Sequence, residues 1–271
     1  MKQLFNINNR IIVITGGTGV LGSEWATYLA QQGAKVIILG RTQEEADTTK
    51  SQLVEKDLKI EAFACDVTNE DECHNIAKQI KSVHGNIDVL INAAGGNMKG
   101  ATITPEQSLL DSDTDALRTI INLNYIGTYL AIKAFLPQFI EAKKGNIINV
   151  SSMSAEKPLT RVMGYSSSKA AINNLTQWLA VEFAQKYGEG FRVNAIAPGF
   201  FLTEQNRSLL TNLDGSYTER AKLIKNNTPM DRFGEPKDLL GAMHFLCSDA
   251  SRFVTGTVMP IDGGFSAFSG V

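Results

Sequence analysis

Ile11-Ile12-Val13-Ile14-Thr15 runs directly into Gly16-Gly17-Thr18-Gly19-Val20-Leu21-Gly22, and a segment of helical period follows to Gln32. A short β-branched run, a glycine-rich turn and a helix form one unit. Glycines permit the tight turn and let backbone amides approach a pyrophosphate, which the helix N-terminus faces with its unpaired N–H groups. A glycine-rich turn alone says little, because glycines also cluster in turns that hold no ligand. Here the strand before it and the helix after it supply the context that a dinucleotide-binding turn requires. Gly16, Thr18, Gly19, Val20, Leu21 and Gly22 are therefore the expected phosphate-facing residues.

Outward from this unit the same alternation repeats. Apolar runs stand at 11–15, 35–39, 60–64, 88–91, 146–151, 192–197 and 257–260. They are apolar on both faces, as buried parallel strands are. Segments of helical period lie between them at 20–32, 43–56, 70–84, 115–143, 163–187 and 236–248. This predicts an α/β fold: a doubly wound, mostly parallel seven-stranded sheet with helices on both faces, of Rossmann type. No repeat or linker divides the chain, so residues 1–271 are expected to form a single domain. The longest stretch without strand signals, about 200–233, carries two short helical patterns and is expected to be a substrate lid.

The bulk properties exclude several classes. Of 271 residues 43% are hydrophobic and 20% charged, and the net charge is −2. That gives no reason to expect a nucleic-acid or membrane surface. No apolar run approaches the length of a membrane span. The polar start is unlike a signal peptide. Cys65, Cys73 and Cys247 form no CxxC pair, so no metal site is expected and a reducing, cytoplasmic setting fits. His74, His84 and His244 are isolated and read as surface or packing residues.

The end of the second strand reads the adenosine ribose in folds of this type: an acid there favours NAD and an arginine accommodates the 2′-phosphate of NADP. The sequence has Leu39-Gly40-Arg41, with no acid. Arg41 leans toward NADP, unless it is simply a solvated loop arginine. Asp66 and Val67, after the third strand, are positioned to face the adenine; the other reading of Asp66 is a helix N-cap.

Tyr165 and Lys169 are four residues apart in a helical segment and share one face. A phenol is a poor acid or base at neutral pH, and a nearby cation lowers its pKa. Such a pair can exchange a proton with a reacting oxygen. Ser152, at the end of the fifth strand and 13 residues earlier, is placed to hold that oxygen, although Ser151 and Ser152 also suit ordinary loop capping.

With these residues in view, the chain resembles the short-chain dehydrogenase/reductase family over nearly its whole length, from the glycine turn to Asp262-Gly263-Gly264. The resemblance implies a hydride-transferring, NAD(P)(H)-dependent oxidoreductase with Ser152, Tyr165 and Lys169 as its catalytic set. It adds Asn124, from Asn124-Tyr125-Ile126-Gly127, as holder of a proton-relaying water. It also implies cofactor contacts from Asn92-Ala93-Ala94-Gly95, Pro198-Gly199 and Thr203, and a homotetramer. One departure stands out: the family's usual glycines fall one, five and seven residues after the threonine, and here Val20 takes the fifth place.

Within the family, 15–22, 92–97, 194–207 and 261–271 resemble the D-mannonate oxidoreductases, or fructuronate reductases. That group is usually associated with NAD(H), against the lean of Arg41, so NAD versus NADP stays open. A sugar acid needs a carboxylate partner and hydroxyl partners. Arg207 can grip a carboxylate in two parallel hydrogen bonds, and Asn97, Gln205 and Ser152 can bind substrate oxygens. The competing reading makes 203–207 the outer face of a lid helix. The alternatives are a gluconate 5-dehydrogenase-like or 3-oxoacyl reductase-like enzyme and, from another class, a non-catalytic NAD(P)-sensing protein. Such sensors commonly lose the tyrosine or lysine that this chain keeps. Ile172, Leu175, Leu179 and Phe183 read as core. Trp178 lies off that stripe and marks a candidate subunit contact. The uncharged tail from Gly263 is expected to dock on its own or a neighbouring subunit.

Overall fold

The seven apolar runs become β1 (Ile11–Thr15), β2 (Lys35–Gly40), β3 (Ile60–Ala64), β4 (Val89–Asn92), β5 (Gly145–Val150), β6 (Phe191–Pro198) and β7 (Val258–Ile261). The computed structural model describes residues 3–54, 58–203 and 207–270. The strands form one seven-stranded sheet in the order β3-β2-β1-β4-β5-β6-β7, and each pairing is parallel. The order reverses between β1 and β4. At such a switch point the loops leaving the strand ends diverge and open a crevice.

Side chains alternate across the sheet, so each face collects its own core. On one face Val13, Leu90, Ile147 and Val193 pack against α3 (Glu70–His84), α5 (Gly127–Ala142) and α6 (Met163–Tyr187). On the other, Ile12, Ile14, Ile38 and Ile148 pack against Trp25 and Leu29 of α1 (Val20–Gln31) and Met243 and Leu246 of α9 (Leu240–Cys247). The outer helix α2 (Gln43–Val54) flanks β2 and β3. Two buried layers on one sheet make a doubly wound single domain, as the alternation predicted.

The long helix expected over 115–143 is interrupted. It is built as α4 (Thr114–Ile121), a π turn over Asn122–Ile126, and α5. An extra residue in one turn rotates the side chains that follow, a device common at functional sites. It leaves Asn124 fully buried. The buried stripe of α6 is the expected Ile172, Leu175, Leu179 and Phe183, while Trp178 is 58% exposed.

Residues 200–233 hold two short helices, α7 (Arg207–Leu210) and α8 (Glu219–Asn226). Leu210, Ala221, Ile224 and Phe233 form a small apolar cluster of their own, with Phe200 and Leu202 against it. The flap is thus packed internally and joined to the body at its base, where Phe201 bridges Gly234. The tail docks on its own subunit: the Phe265 ring meets Phe200 edge-on at 5.2 Å, and Lys157 Nζ donates to the carbonyls of Phe265 and Phe268. Among the described residues, no helix is long and apolar enough to cross a membrane.

Phe139 is fully buried and lies against Gly145, where an added Cβ would stand 2.5 Å from its ring. Phe139→Ala leaves a void with little room to collapse, so urea unfolding is expected to show a loss of about 3–5 kcal/mol.

Candidate active site

At the carboxyl end of the sheet, the switch point opens a cleft of about 600 Å³. Its floor is the turn after β1. Gly16 has φ +64°, and a Cβ there would stand 2.7 Å from Ala94 Cα; a Cβ on Gly22 would stand 2.4 Å from Gly16 O. The turn therefore lies flush against the backbone leaving β4. Gly19 caps α1 with no side-chain bond to its first amides. Those amides have no intrahelical partner in any helix and carry the positive end of the dipole. A backbone cradle of this kind fits a pyrophosphate. The Val20 departure does not disturb it, because the close contacts fall at Gly16 and Gly22, and Gly19 has an ordinary φ of −77°.

Gly16, Thr18, Gly19, Val20, Leu21 and Gly22 all line the cleft, as do Arg41, Asp66 and Val67 at the adenosine end. Arg41 is 73% exposed and pairs with Glu45, one turn on, at 3.1 Å. Glu45 lines the same end, a residue that the sequence motifs do not single out. Asp66 is not a helix cap. It accepts from the amide and hydroxyl of Thr68, while Asn69 caps α3. Ala93, Ala94 and Gly95 form one wall, and Pro198, Gly199 and Thr203 another. Asn92 does not reach the cleft. It is buried behind that wall and donates to Asn149, which donates to Thr176. Its part is to tie β4, β5 and α6 together.

Ser152, Tyr165 and Lys169 meet in the cleft. Ser152 serves both readings: its Oγ accepts from the Ser154 amide at 3.2 Å and also hydrogen-bonds the Tyr165 hydroxyl. Lys169 is 5% exposed. Its Nζ donates to Val150 O at 2.7 Å and stands 5.6 Å from the centre of the Tyr165 ring. Asn124 lies behind the lysine. Its amide accepts from Gly96 N and donates to Gly96 O and Ile120 O. A Cβ on Gly95 would come within 2.5 Å of Asn124 Oδ1 and 3.4 Å of Lys169 Nζ, so the bare glycine lets the two approach.

The expected lowering of the tyrosine by the lysine is not what the site shows. Burial pushes Tyr165 up from its usual value, and only the hydrogen bond from Ser152 acts the other way. Burial also lowers Lys169 to about 8, because removal from water disfavours the charged amine. Two buried groups thus move toward their neutral forms.

The proposed substrate ligands gather less well. Asn97 is exposed and donates to Thr102, outside the cleft lining. Arg207 is exposed at the start of α7, also outside it. Gln205 lies outside the described residues. Phe200 and Phe201, unnoticed in the sequence, roof the cleft instead. The histidines take packing roles: His244 bonds Tyr28 and the carbonyl of Phe5.

A Rossmann-type sheet with a Ser-Tyr-Lys group at its switch point defines a class of hydride-transfer enzyme. A family model described as enoyl-(acyl carrier protein) reductase matches residues 18–266. The chain belongs to the short-chain dehydrogenase/reductase family, and it is an NAD(P)-dependent oxidoreductase acting on CH–OH groups. An uncharacterized oxidoreductase of Bacillus subtilis (strain 168), UxuB, is 44% identical over 98% of both chains. A solved structure of a candidate D-mannonate oxidoreductase from Haemophilus influenza, with bound NAD, is 42% identical over 98% of both chains, with a TM-score of 0.92. A gluconate 5-dehydrogenase from Burkholderia cenocepacia J2315, in complex with NADP and tartrate, is 28% identical over 98% of both, with a TM-score of 0.86. Of the two solved structures, the first holds NAD and the second NADP.

Two predictions follow from the site's charges. Glu45→Gln removes the partner of Arg41 and a carboxylate that would repel a 2′-phosphate. The ratio of NADPH to NADH efficiency is expected to rise about three- to tenfold; an unchanged ratio removes Glu45 from cofactor choice. The second concerns Lys169, whose folded value lies below the ordinary 10.5, so the unfolded chain holds the extra proton between about pH 8 and 10.5. Its burial weakens the fold below pH 8 by about 3 kcal/mol, and that cost fades as pH rises through this window. Urea titrations across the window should show the gain in the native chain and not in Lys169→Met.

Proposed function

We propose that this chain interconverts D-fructuronate and D-mannonate. The observation that carries the chemistry is the convergence of Ser152, Tyr165 and Lys169 on one cleft above a backbone cradle for a dinucleotide. The observation that favours the substrate is full-length similarity to a candidate D-mannonate oxidoreductase.

When bound, the nicotinamide cofactor supplies or accepts the hydride. The remaining work falls to the chain. In reduction, the hydroxyls of Ser152 and Tyr165 hold the ketone oxygen, and Tyr165 gives its proton to that oxygen as negative charge develops there. A raised pKa keeps the phenol protonated and ready to donate. Ser152 stabilises the phenolate that remains by hydrogen bonding to it. Lys169, held by Val150 O, stands under the ring and restores charge balance. In oxidation the same proton runs back. Asn124 fixes the Gly95–Gly96 wall against the lysine and is assigned the proton-relay position. The flap at 200–233 serves as the lid, with Phe200, Phe201 and Thr203 on its inner side excluding water. We further assign the enzyme to the cytoplasm and to a homotetramer; support for the latter is the exposed Trp178 and Val181 on α6.

A second reading, a gluconate 5-dehydrogenase-like activity, is favoured by the Burkholderia relative. Consumption of NADH and NADPH should be followed in parallel with D-fructuronate and 5-keto-D-gluconate. The expected result is an efficiency about tenfold or more higher with D-fructuronate. The reverse order moves the assignment to the gluconate reading and leaves the mechanism in place.

A further inference from the structure

Lys157 lies on the loop that joins Ser152 to Tyr165, and its amide donates to Met153 O at 2.9 Å. Met153 opens the short turn Met153–Ala155, which Ser152 caps through its hydroxyl. The lysine is thus one turn from a catalytic hydroxyl, yet it does not line the cleft. It is half-buried, and its Nζ reaches the C-terminal tail. There it donates to Phe268 O at 2.9 Å and Phe265 O at 3.3 Å, and it stands 5.8 Å from the centre of the Phe265 ring. Lys133, Lys144 and Lys222 each hold a carboxylate instead. Hydrogen bonds from an ammonium are stronger than those between neutral groups, so this is a firm fastening of loop to tail.

The tail is shaped to offer those carbonyls. The Asp262 carboxylate accepts from Gly264 N at 2.9 Å and Ser266 N at 2.7 Å, and the amides of Ala267 and Phe268 both donate to Gly264 O. An anion caps one end of this turn and a cation meets the carbonyls at the other, as at the two ends of a helix. Its root lies on the closing stem of the flap. Met230 N donates to Gly263 O at 3.0 Å, and a Cβ on Gly263 would stand 2.9 Å from Thr228 Cγ2. The Phe265 ring meets Phe200 on the opening stem, and Phe200 lines the cleft. A Cβ on Gly199, in the cleft wall, would stand 2.7 Å from Asp262 Cα. Catalytic loop, both flap stems and the Gly199 wall therefore meet at one segment, 262–268.

We propose that Lys157 is a positioning residue for hydride transfer and acts through the tail. It fastens 262–268 to the catalytic loop, and the tail in turn holds the flap stems in register with Ser152 and Tyr165. The turn after β1 and the adenosine end of the cleft take no part in these contacts, so the effect falls on the ketone more than on the cofactor. The inference takes its substrate from the reading above.

The test uses the full-length chain saturated with the reduced cofactor it binds more tightly. Hydrogen exchange and D-fructuronate reduction are measured on Lys157→Met, Phe265→Ala and the double variant. Amides of the flap stems should exchange about tenfold faster in Lys157→Met, and amides of 153–162 about tenfold faster in Phe265→Ala, because each change is felt across the tail. The value of kcat/KM should fall about tenfold or more in each single variant, with cofactor affinity within about threefold of native, which also reports that the variants fold. The double variant should lose little beyond the worse single one, since both changes cut the same connection. Lys157→Arg, which can still donate to both carbonyls, should keep most of the activity. Faster exchange confined to the substituted element overturns the inference, as does an unchanged kcat/KM in both single variants or a fully additive double variant. A native chain that does not reduce D-fructuronate removes the substrate assignment; the exchange pattern across the tail then decides for or against the role of Lys157.

Discussion

The site depends on one backbone approach: the turn after β1 lies directly against the chain leaving β4, with no side chain between them. At Gly16 there is room for hydrogen and nothing larger against Ala94, and Gly22 lies as tightly against the turn's own backbone at Gly16. That contact closes the floor of the cleft, aims the first turn of α1 into it and sets the height of the Ala93–Gly95 wall. The wall in turn fixes Asn124 and Lys169, because Gly95 is where those two side chains come close. Cofactor cradle and catalytic group are therefore one packing arrangement. A side chain at Gly16 would run into the backbone of Ala93 and Ala94 and so disturb the cradle and the wall at once.

The second organising constraint is electrostatic. The lysine sits where burial disfavours its charge and the tyrosine where burial disfavours phenolate. Each is strained toward neutrality in the place where the reaction needs charge to appear and vanish. Such strain is tolerated because the surrounding sheet is buried on both faces and held by parallel ladders. Asn92, Asn149 and Thr176 contribute from behind with a buried chain of hydrogen bonds across β4, β5 and α6.

Much of this was legible in the residues. Strand and helix alternation carried the fold because parallel strands buried on both faces are continuous apolar runs, which few other structures produce. The glycine turn and the Tyr165–Lys169 spacing carried the site because both are local: a turn and one face of one helix. What was missed is not local. The π turn that buries Asn124 leaves no mark in a helical periodicity, so 115–143 read as one helix. Asn92 read as a cofactor residue because the motif around it faces the cofactor, although alternation along β4 turns its own side chain inward. The pairing of Arg41 with Glu45 is an i, i+4 contact, a local spacing that the sequence itself displays. The tyrosine shift runs against the sequence expectation because burial, which a sequence does not display, is its largest cause.

The central claim is that Tyr165 moves the proton while the backbone cradle holds the cofactor independently of it. Tyr165→Phe separates the two, since it removes one hydroxyl and keeps the ring. Single-turnover reduction and cofactor binding by nicotinamide fluorescence should be measured on the same preparation. The account predicts a loss of turnover of about a hundredfold or more, with cofactor affinity within about twofold of the native chain. Turnover that survives the substitution would contradict it.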